Sequence, residues 1–306
     1  MEDRLLTWAD SGRVPRSWQR QKLIGSGCLL VTALGWGLNW PATKALLAVC
    51  PPLTARGIAG IVASIALASL AARRGETLSV PAGKRMWLIQ AALLNVTAWM
   101  GLTTLSLLWL NAGEAATLAY TMPIWASVLA WPVLHERLTL RRICALVLGI
   151  GGVALQVGAG GLQISRAHIP GIVIALAAAL LFALGTVTAK KRPLELSPLV
   201  ATAWQVGIGC VPLLLVSFLL EKPKLDEMGW FGWAALSYTA AISLGVCYLA
   251  WFAALRRLDA STAAIGTLLT PIVGVTASTI SLNEPLQATG ILSLFLVVVG
   301  IALAIR

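Results

Sequence analysis

A chain of 306 residues with 58% hydrophobic residues, 11% charged residues and a mean hydropathy of +0.84 lacks the polar surface that a soluble domain of this size needs. Lipid is the solvent these figures imply. The 23 Lys and Arg outnumber the 12 Asp and Glu, but the cations fall in short clusters between long uncharged runs, which membrane topology explains without a nucleic-acid partner.

Residues 1–22 are polar, and the apolar run after them is too long for the hydrophobic core of a signal peptide, so no cleavable leader is predicted. Runs of roughly the 20 residues that cross a bilayer as helix then follow at 23–44, 53–72, 86–108, 112–134, 142–158, 170–189, 198–220, 230–253, 261–281 and 288–305. They are continuously apolar and lack the alternation of a barrel strand. The fold expected is all-α, a polytopic bundle of ten transmembrane helices joined by short connections. Cys28, Cys50, Cys144, Cys210 and Cys247 lie in or beside these runs without CxxC or Cys/His spacing, and are read as small hydrophobes rather than disulfides or metal ligands. No cofactor is expected.

With ten spans, 18 of the Lys and Arg fall on one side, in the N-terminal segment and near residues 73–85, 137–142, 190–192, 256–257 and 306. The other side holds Lys44, Arg56, Arg166, Lys222 and Lys224. This asymmetry predicts that both termini are cytoplasmic.

The chain also repeats itself. Residues 110–157 match residues 258–305 without gaps at 15 of 48 positions, pairing Pro123 with Pro271 and Glu136 with Glu284; Lys44 and Pro51 correspond to Lys191 and Pro198. Five helices per copy is an odd number, so the second copy enters the membrane inverted. The basic Arg137, Arg141, Arg142 loop accordingly faces a counterpart without Lys or Arg. The expected organisation is a cytoplasmic segment, 1–22, a first five-helix repeat, 23–158, and a second, inverted one, 159–306. Such halves can open to either membrane face by equivalent rearrangements.

Polar residues far from helix ends should face the bundle interior. Asn95, Trp99 and Thr103 recur at helical spacing near the middle of the third span, and Ser243, Cys247 and Trp251 occupy the related positions of the eighth. They are read either as a cavity lining or as inter-helix contacts. Asn39 and Trp40 precede Pro41, Tyr120 lies one turn before Pro123, and Thr267 one turn before Pro271. These prolines are candidate hinges or cavity walls, with packing adaptation as the alternative. Trp36, Trp125 and Trp204 also lie deep, whereas Trp87, Trp109, Trp131, Trp230 and Trp233 sit at span ends and suit an interfacial belt. Glu114, Glu136 and Glu284 end or open helices, as structural caps or as gates.

The stretch GWGLNWPATK at the first span, the PIW…HE and PIV…NE segments and the five-plus-five layout resemble the EamA-type drug/metabolite transporter superfamily, from Leu23 onward. Within it the Trp content and first-span sequence are most similar to bacterial aromatic amino acid exporters. The resemblance implies ten helices around a central cavity, and export of amino acids or related small metabolites across the inner membrane without ATP. The expected substrate cavity comprises Asn39, Trp40, Asn95, Trp99, Tyr120, Ser243, Trp251 and Thr267, with Pro41, Pro123 and Pro271 as hinges. The partners expected are a small-molecule substrate and membrane lipid, with no nucleic acid; the sequence leaves the oligomeric state open and is compatible with a monomer. Lipophilic cations are the rival substrates and a receptor or scaffold the rival class; a lipophilic cation would want a midplane carboxylate, and Asp and Glu are confined to termini, loops and helix ends. No HExxH, Walker or GxSxG sequence points to an enzyme.

Overall fold

The computed structural model describes residues 16–135, 139–158, 167–223, 225–258 and 266–305. Every predicted run is occupied by helix there: α1 (Arg16–Leu46), α2 (Pro52–Arg73), α3 (Ala82–Ser106), α4 (Ala112–Leu134), α5 (Leu140–Gly158), α6 (Ile169–Lys191), α7 (Pro198–Leu220), α8 (Gly229–Leu255), α9 (Leu269–Leu282) and α10 (Ala288–Ile305). Seven, α1 to α4 and α6 to α8, are long and apolar enough to cross a membrane; α5, α9 and α10 contain shorter apolar stretches. No strand occurs among the described residues.

Local chemistry sets the helix limits. Pro52, Pro170 and Pro198 sit in the first turns of α2, α6 and α7, where a missing N–H costs nothing and φ is already helical. Ser197 caps α7 by accepting the Val200 N–H at 3.2 Å. Helices α4 and α9 both end on a left-handed residue, His135 (φ 57) and Asn283 (φ 52), at the 148-residue offset seen in the sequence.

Two helices depart from the uniform α-helix expected. A π turn runs over Leu93–Ala98 inside α3 and over Tyr238–Val246 inside α8, so the strict i, i+4 stripe through Asn95 does not apply within those segments. Helix α4 is interrupted as well, by a turn at Tyr120–Thr121, and a turn at Thr267–Leu268 precedes α9.

Helix α2 packs along α7, and α5 along α10, each helix against its counterpart in the other half. Helix α1 lies against α8 and α9, and α6 against α3 and α4, a pairing that maps onto itself when the halves are exchanged. Backbones approach closely where side chains are absent, the usual way helices associate in lipid. At Gly209 on α7 a Cβ would lie 2.5 Å from Val96 Cβ and 2.8 Å from the Ala92 carbonyl oxygen, and the Thr97 hydroxyl donates to the Gly209 carbonyl at 2.6 Å. The cysteines are all free, with Cys50, Cys210 and Cys247 buried.

Gly209→Ala is expected to destabilise the bundle by about 1–3 kcal/mol, because neither the Ala92 backbone nor Val96 Cβ can swing aside. The readout is the melting temperature in detergent. Gly27→Ala, where an added Cβ meets nothing within 4 Å, should leave it unchanged or slightly raised.

Candidate functional site

Four rings from four helices form a chain in the interior. Trp40 of α1 meets Tyr120 of α4 (centroids 6.3 Å apart), Tyr120 meets Trp99 of α3 edge-on (6.4 Å), and Trp99 packs on Phe182 of α6 (4.7 Å). Trp40 and Tyr120 are buried, and Trp99 and Phe182 partly so. Tyr120 holds its place because it sits in the turn that divides α4, with Pro123 in the first turn of the following segment. Helix α9 closes the other side of Trp40: a Cβ at Gly274 would lie 3.3 Å from the indole.

One buried polar atom near these rings, Asn95 Oδ1, has no hydrogen-bond partner among the described residues, while Thr270 Oγ1 is buried beside the Tyr120 hydroxyl. The carboxamide of Asn95 lies against Gly185 of α6, where a Cβ would come within 1.9 Å of Oδ1. Asn95 and Trp99 therefore both meet α6 despite the π turn between them. Thr270 is fully buried on α9 next to Pro271; a lone threonine in an apolar run gave no signal in the sequence. An orphaned polar group in a lipid-embedded interior costs free energy unless water or a ligand satisfies it.

A second aromatic group lies between α1 and α8. Trp36 contacts Tyr248 edge-on (5.4 Å) and Trp251 (6.0 Å), and Tyr248 contacts Phe252 (6.2 Å). The Trp36 indole N–H donates to the Ser243 carbonyl at 3.0 Å, within the π segment, where carbonyls leave the regular ladder. Ser243 thus joins α8 to α1 through its backbone and is itself buried. Thr239 donates to Asn39 Oδ1 at 3.3 Å and Tyr238 to the Gly35 carbonyl at 2.9 Å, so Asn39 belongs to this α1–α8 seam. Thr267 lies in the turn before α9, partly buried. Pro41 is buried within α1, which continues as helix to Leu46.

The end of the bundle where α1 finishes is held by carboxylates. Glu221, after α7, accepts the Leu53 N–H (2.9 Å), the Thr54 N–H (2.8 Å) and the Thr54 hydroxyl (2.7 Å) at the start of α2. Glu284, after α9, accepts the Ala112 and Gly113 N–H groups at the start of α4 (2.7 and 3.1 Å). Each acid meets the unpaired donors and positive dipole of a helix in the other half. Glu114 turns back to its own helix start and accepts the Asn111 N–H at 3.1 Å. Lys44 donates to the carbonyls of Leu107 and Leu110, the latter at 2.8 Å. A cleft of about 80 Å³ lined by Glu114, Thr117, Thr279, Glu284 and Gln287 opens here. Glu136 lies outside the described residues.

At the opposite end Ser197 donates to Glu76, again joining an acid after one helix to the start of a helix in the other half. Lys84 pairs with Glu195 at 2.8 Å.

One sequence assignment needs correction. Arg56, counted among the loop cations of the α1-terminal side, is the fifth residue of α2 and only 7% exposed. Its side chain turns inward to threonine hydroxyls instead of outward to solvent. The sequence signal was present, an Arg one turn inside an otherwise uncharged run.

The EamA-like transporter family matches this chain twice, over residues 23–158 and 169–306. The chain is 33% identical over 269 residues to the uncharacterized transporter YvbV of Bacillus subtilis, covering 88% of this chain and 87% of that one. It is 27% identical to a probable amino-acid metabolite efflux pump of Salmonella typhimurium, over 89% and 91% of the two chains. A crystal structure with 20% identity superposes with a TM-score of 0.66, covering 94% of this chain and 96% of the other, and shows the same fold. With both halves matched and a third of its residues shared with a transporter along most of its length, this multi-pass membrane protein belongs to the EamA-like transporter family.

Proposed function

We propose that this protein exports aromatic and other neutral amino acids, and related small metabolites, across a bacterial inner membrane by alternating access without ATP, and is not an enzyme. The observation that carries the reading is the Trp40–Tyr120–Trp99–Phe182 chain beside the unpartnered oxygen of Asn95. Rings offer faces to an apolar or aromatic side chain and to an ammonium group, and a buried acceptor awaits an ammonium or hydroxyl donor. The Salmonella relative's description as a probable amino-acid metabolite efflux pump agrees with this class.

Two inverted repeats, 23–158 and 159–306, are the architecture we assign. Support comes from the family matched twice, π turns in both α3 and α8, left-handed ends of α4 and α9, and α2 and α7 packed on each other. In this arrangement all ten helices span and both termini are cytoplasmic, so the Glu221 and Glu284 contacts close the outer face. Pro41, Pro123 and Pro271 lie where α1, α4 and α9 would flex during opening. No Asp or Glu falls in the middle of a span, so the substrate's own gradient sets the direction of net flux.

Efflux of a labelled amino acid panel from proteoliposomes tests the function. Flux should follow the concentration difference and persist when an uncoupler removes any pH gradient; uphill accumulation driven by a pH gradient alone would contradict it. Trp99→Ala should weaken half-saturation for aromatic substrates about three- to tenfold, the worth of one ring contact, while small neutral substrates change less.

The topology has its own measurement. In a cysteine-free background, an impermeant maleimide added to intact cells should label a cysteine at position 222 and spare one at position 141.

For the gate, Glu284→Ala removes the acceptor for two N–H groups at the start of α4. It should favour the outward-open form by about 1 kcal/mol, seen as roughly fivefold faster external labelling of a cysteine at position 117.

A further inference from the structure

Arg56 is a buried cation for which the transport reading above has no use. Its Nε donates to the Thr104 hydroxyl at 2.6 Å and its Nη2 to the Thr43 hydroxyl at 3.2 Å, and both threonines are themselves buried. Among the described residues no carboxylate lies within ion-pairing distance. The acid nearest along its helix, Glu221, has both oxygens committed to the first turn of α2. Lys44, the other interior cation at this end, is held by the carbonyls of Leu107 and Leu110.

A guanidinium cannot discharge itself by losing a proton, so its charge remains in the bundle, where an uncompensated ion is costly. Tying three helices together would need no charge, since apolar packing of similar volume serves as well or better. The two threonines occupy one N–H on Nε and one on Nη2. Nη1 and the second N–H of Nη2 remain as donors, and one N–H from each can meet the two oxygens of a carboxylate.

Placement also fits. Thr43 is three residues beyond Trp40 on α1, an axial rise of about 4.5 Å, and Thr104 is five residues beyond Trp99 on α3, about 7.5 Å. The two threonines that hold the guanidinium are therefore roughly 0.8 and 1.4 turns along their helices from the two rings, toward the same end of the bundle. That is roughly the reach from the ring of an aromatic amino acid to its own carboxylate.

We propose that Arg56 is the residue that selects for a carboxylate on the substrate, so that the carrier takes amino acids and related monocarboxylates with an apolar or aromatic body and rejects their decarboxylated or amidated analogues. The proposal rests on the transport reading given above and narrows its substrate class. Thr43 and Thr104 are positioning residues in this scheme, holding the planar group with its open edge inward.

The experiment uses the full chain in proteoliposomes and needs no variant for its first arm. Unlabelled phenylalanine should compete with labelled tryptophan efflux, while phenylalaninamide and phenethylamine should need concentrations about ten- to a hundredfold higher, the worth of a charge-assisted pair. In the second arm, Arg56→Gln should raise the half-saturation for phenylalanine by a similar factor and abolish the preference over the amide. Arg56→Lys should keep part of that preference, since it retains the charge but not the fork. Equal competition by acid and amide in the wild-type protein overturns the proposal even if the variants fail to fold. Unchanged preference in a folded Arg56→Gln protein overturns it as well. A wild-type protein that moves no amino acid at all overturns the transport reading and this proposal with it, whereas the two preceding outcomes leave transport standing.

Discussion

Exchange of polar partners between the two halves is the constraint on which the rest of this structure depends. A helix immersed in lipid satisfies its own backbone except at the ends, where donors and acceptors remain open. Here the open donors of α2 and α4 are taken by Glu221 and Glu284 from α7 and α9, and Lys44 takes open carbonyls at the end of α3. Because the acids come from one half and the donors from the other, the capping that completes individual helices also joins the halves. Such contacts lie at helix ends and are only partly buried, so water can replace either partner and they can break and reform at modest cost. An apolar seam of equal strength would not be so readily exchanged.

The interior follows the opposite rule. Away from the ends, the helices meet through glycines and alanines and through hydroxyls returned to local carbonyls, as at Thr103, Thr117 and Ser278. Among the described residues, what departs from this economy falls in a few places: the π turns of α3 and α8, the divided helix α4, the orphaned oxygen of Asn95, and the guanidinium of Arg56. Irregular backbone at membrane depth is tolerated where it lines protein or a cavity. The π turn of α3, the divided α4 and Asn95 border the aromatic chain from Trp40 to Phe182, whereas the π turn of α8 meets the second aromatic group at Trp36.

Much of this was legible in the sequence, and for one reason. Lipid requires long apolar runs, so most helices could be placed closely, α4 and α7 at their observed limits, although α1 begins at Arg16 ahead of the expected 23 and α9 at Leu269 after the expected 261. Asn95, Trp99, Tyr120 and Trp40 were also identifiable, because polar and aromatic residues deep in an apolar run stand out against it. Arg56 was misplaced because a cation near the start of a span is read as belonging to the adjacent loop. Thr270 and Phe182 were missed because a threonine or phenylalanine within a span differs too little from its neighbours.

By itself the sequence determined the helical class, the positions of the apolar runs and the similarity of the two halves, since each depends on local composition and on comparing the chain with itself. Only the tertiary structure decided which helix faces which, that Glu221 and Glu284 close onto helices more than 160 residues away, that Asn95 Oδ1 has no hydrogen-bond partner among the described residues, and that Arg56 turns inward. Those properties belong to pairs of residues brought together by packing. In a chain where nearly every surface is apolar, hydrophobic pattern cannot distinguish a lipid-facing side from a protein-facing one, and the distinction rests on shape and on the few polar groups that must find each other.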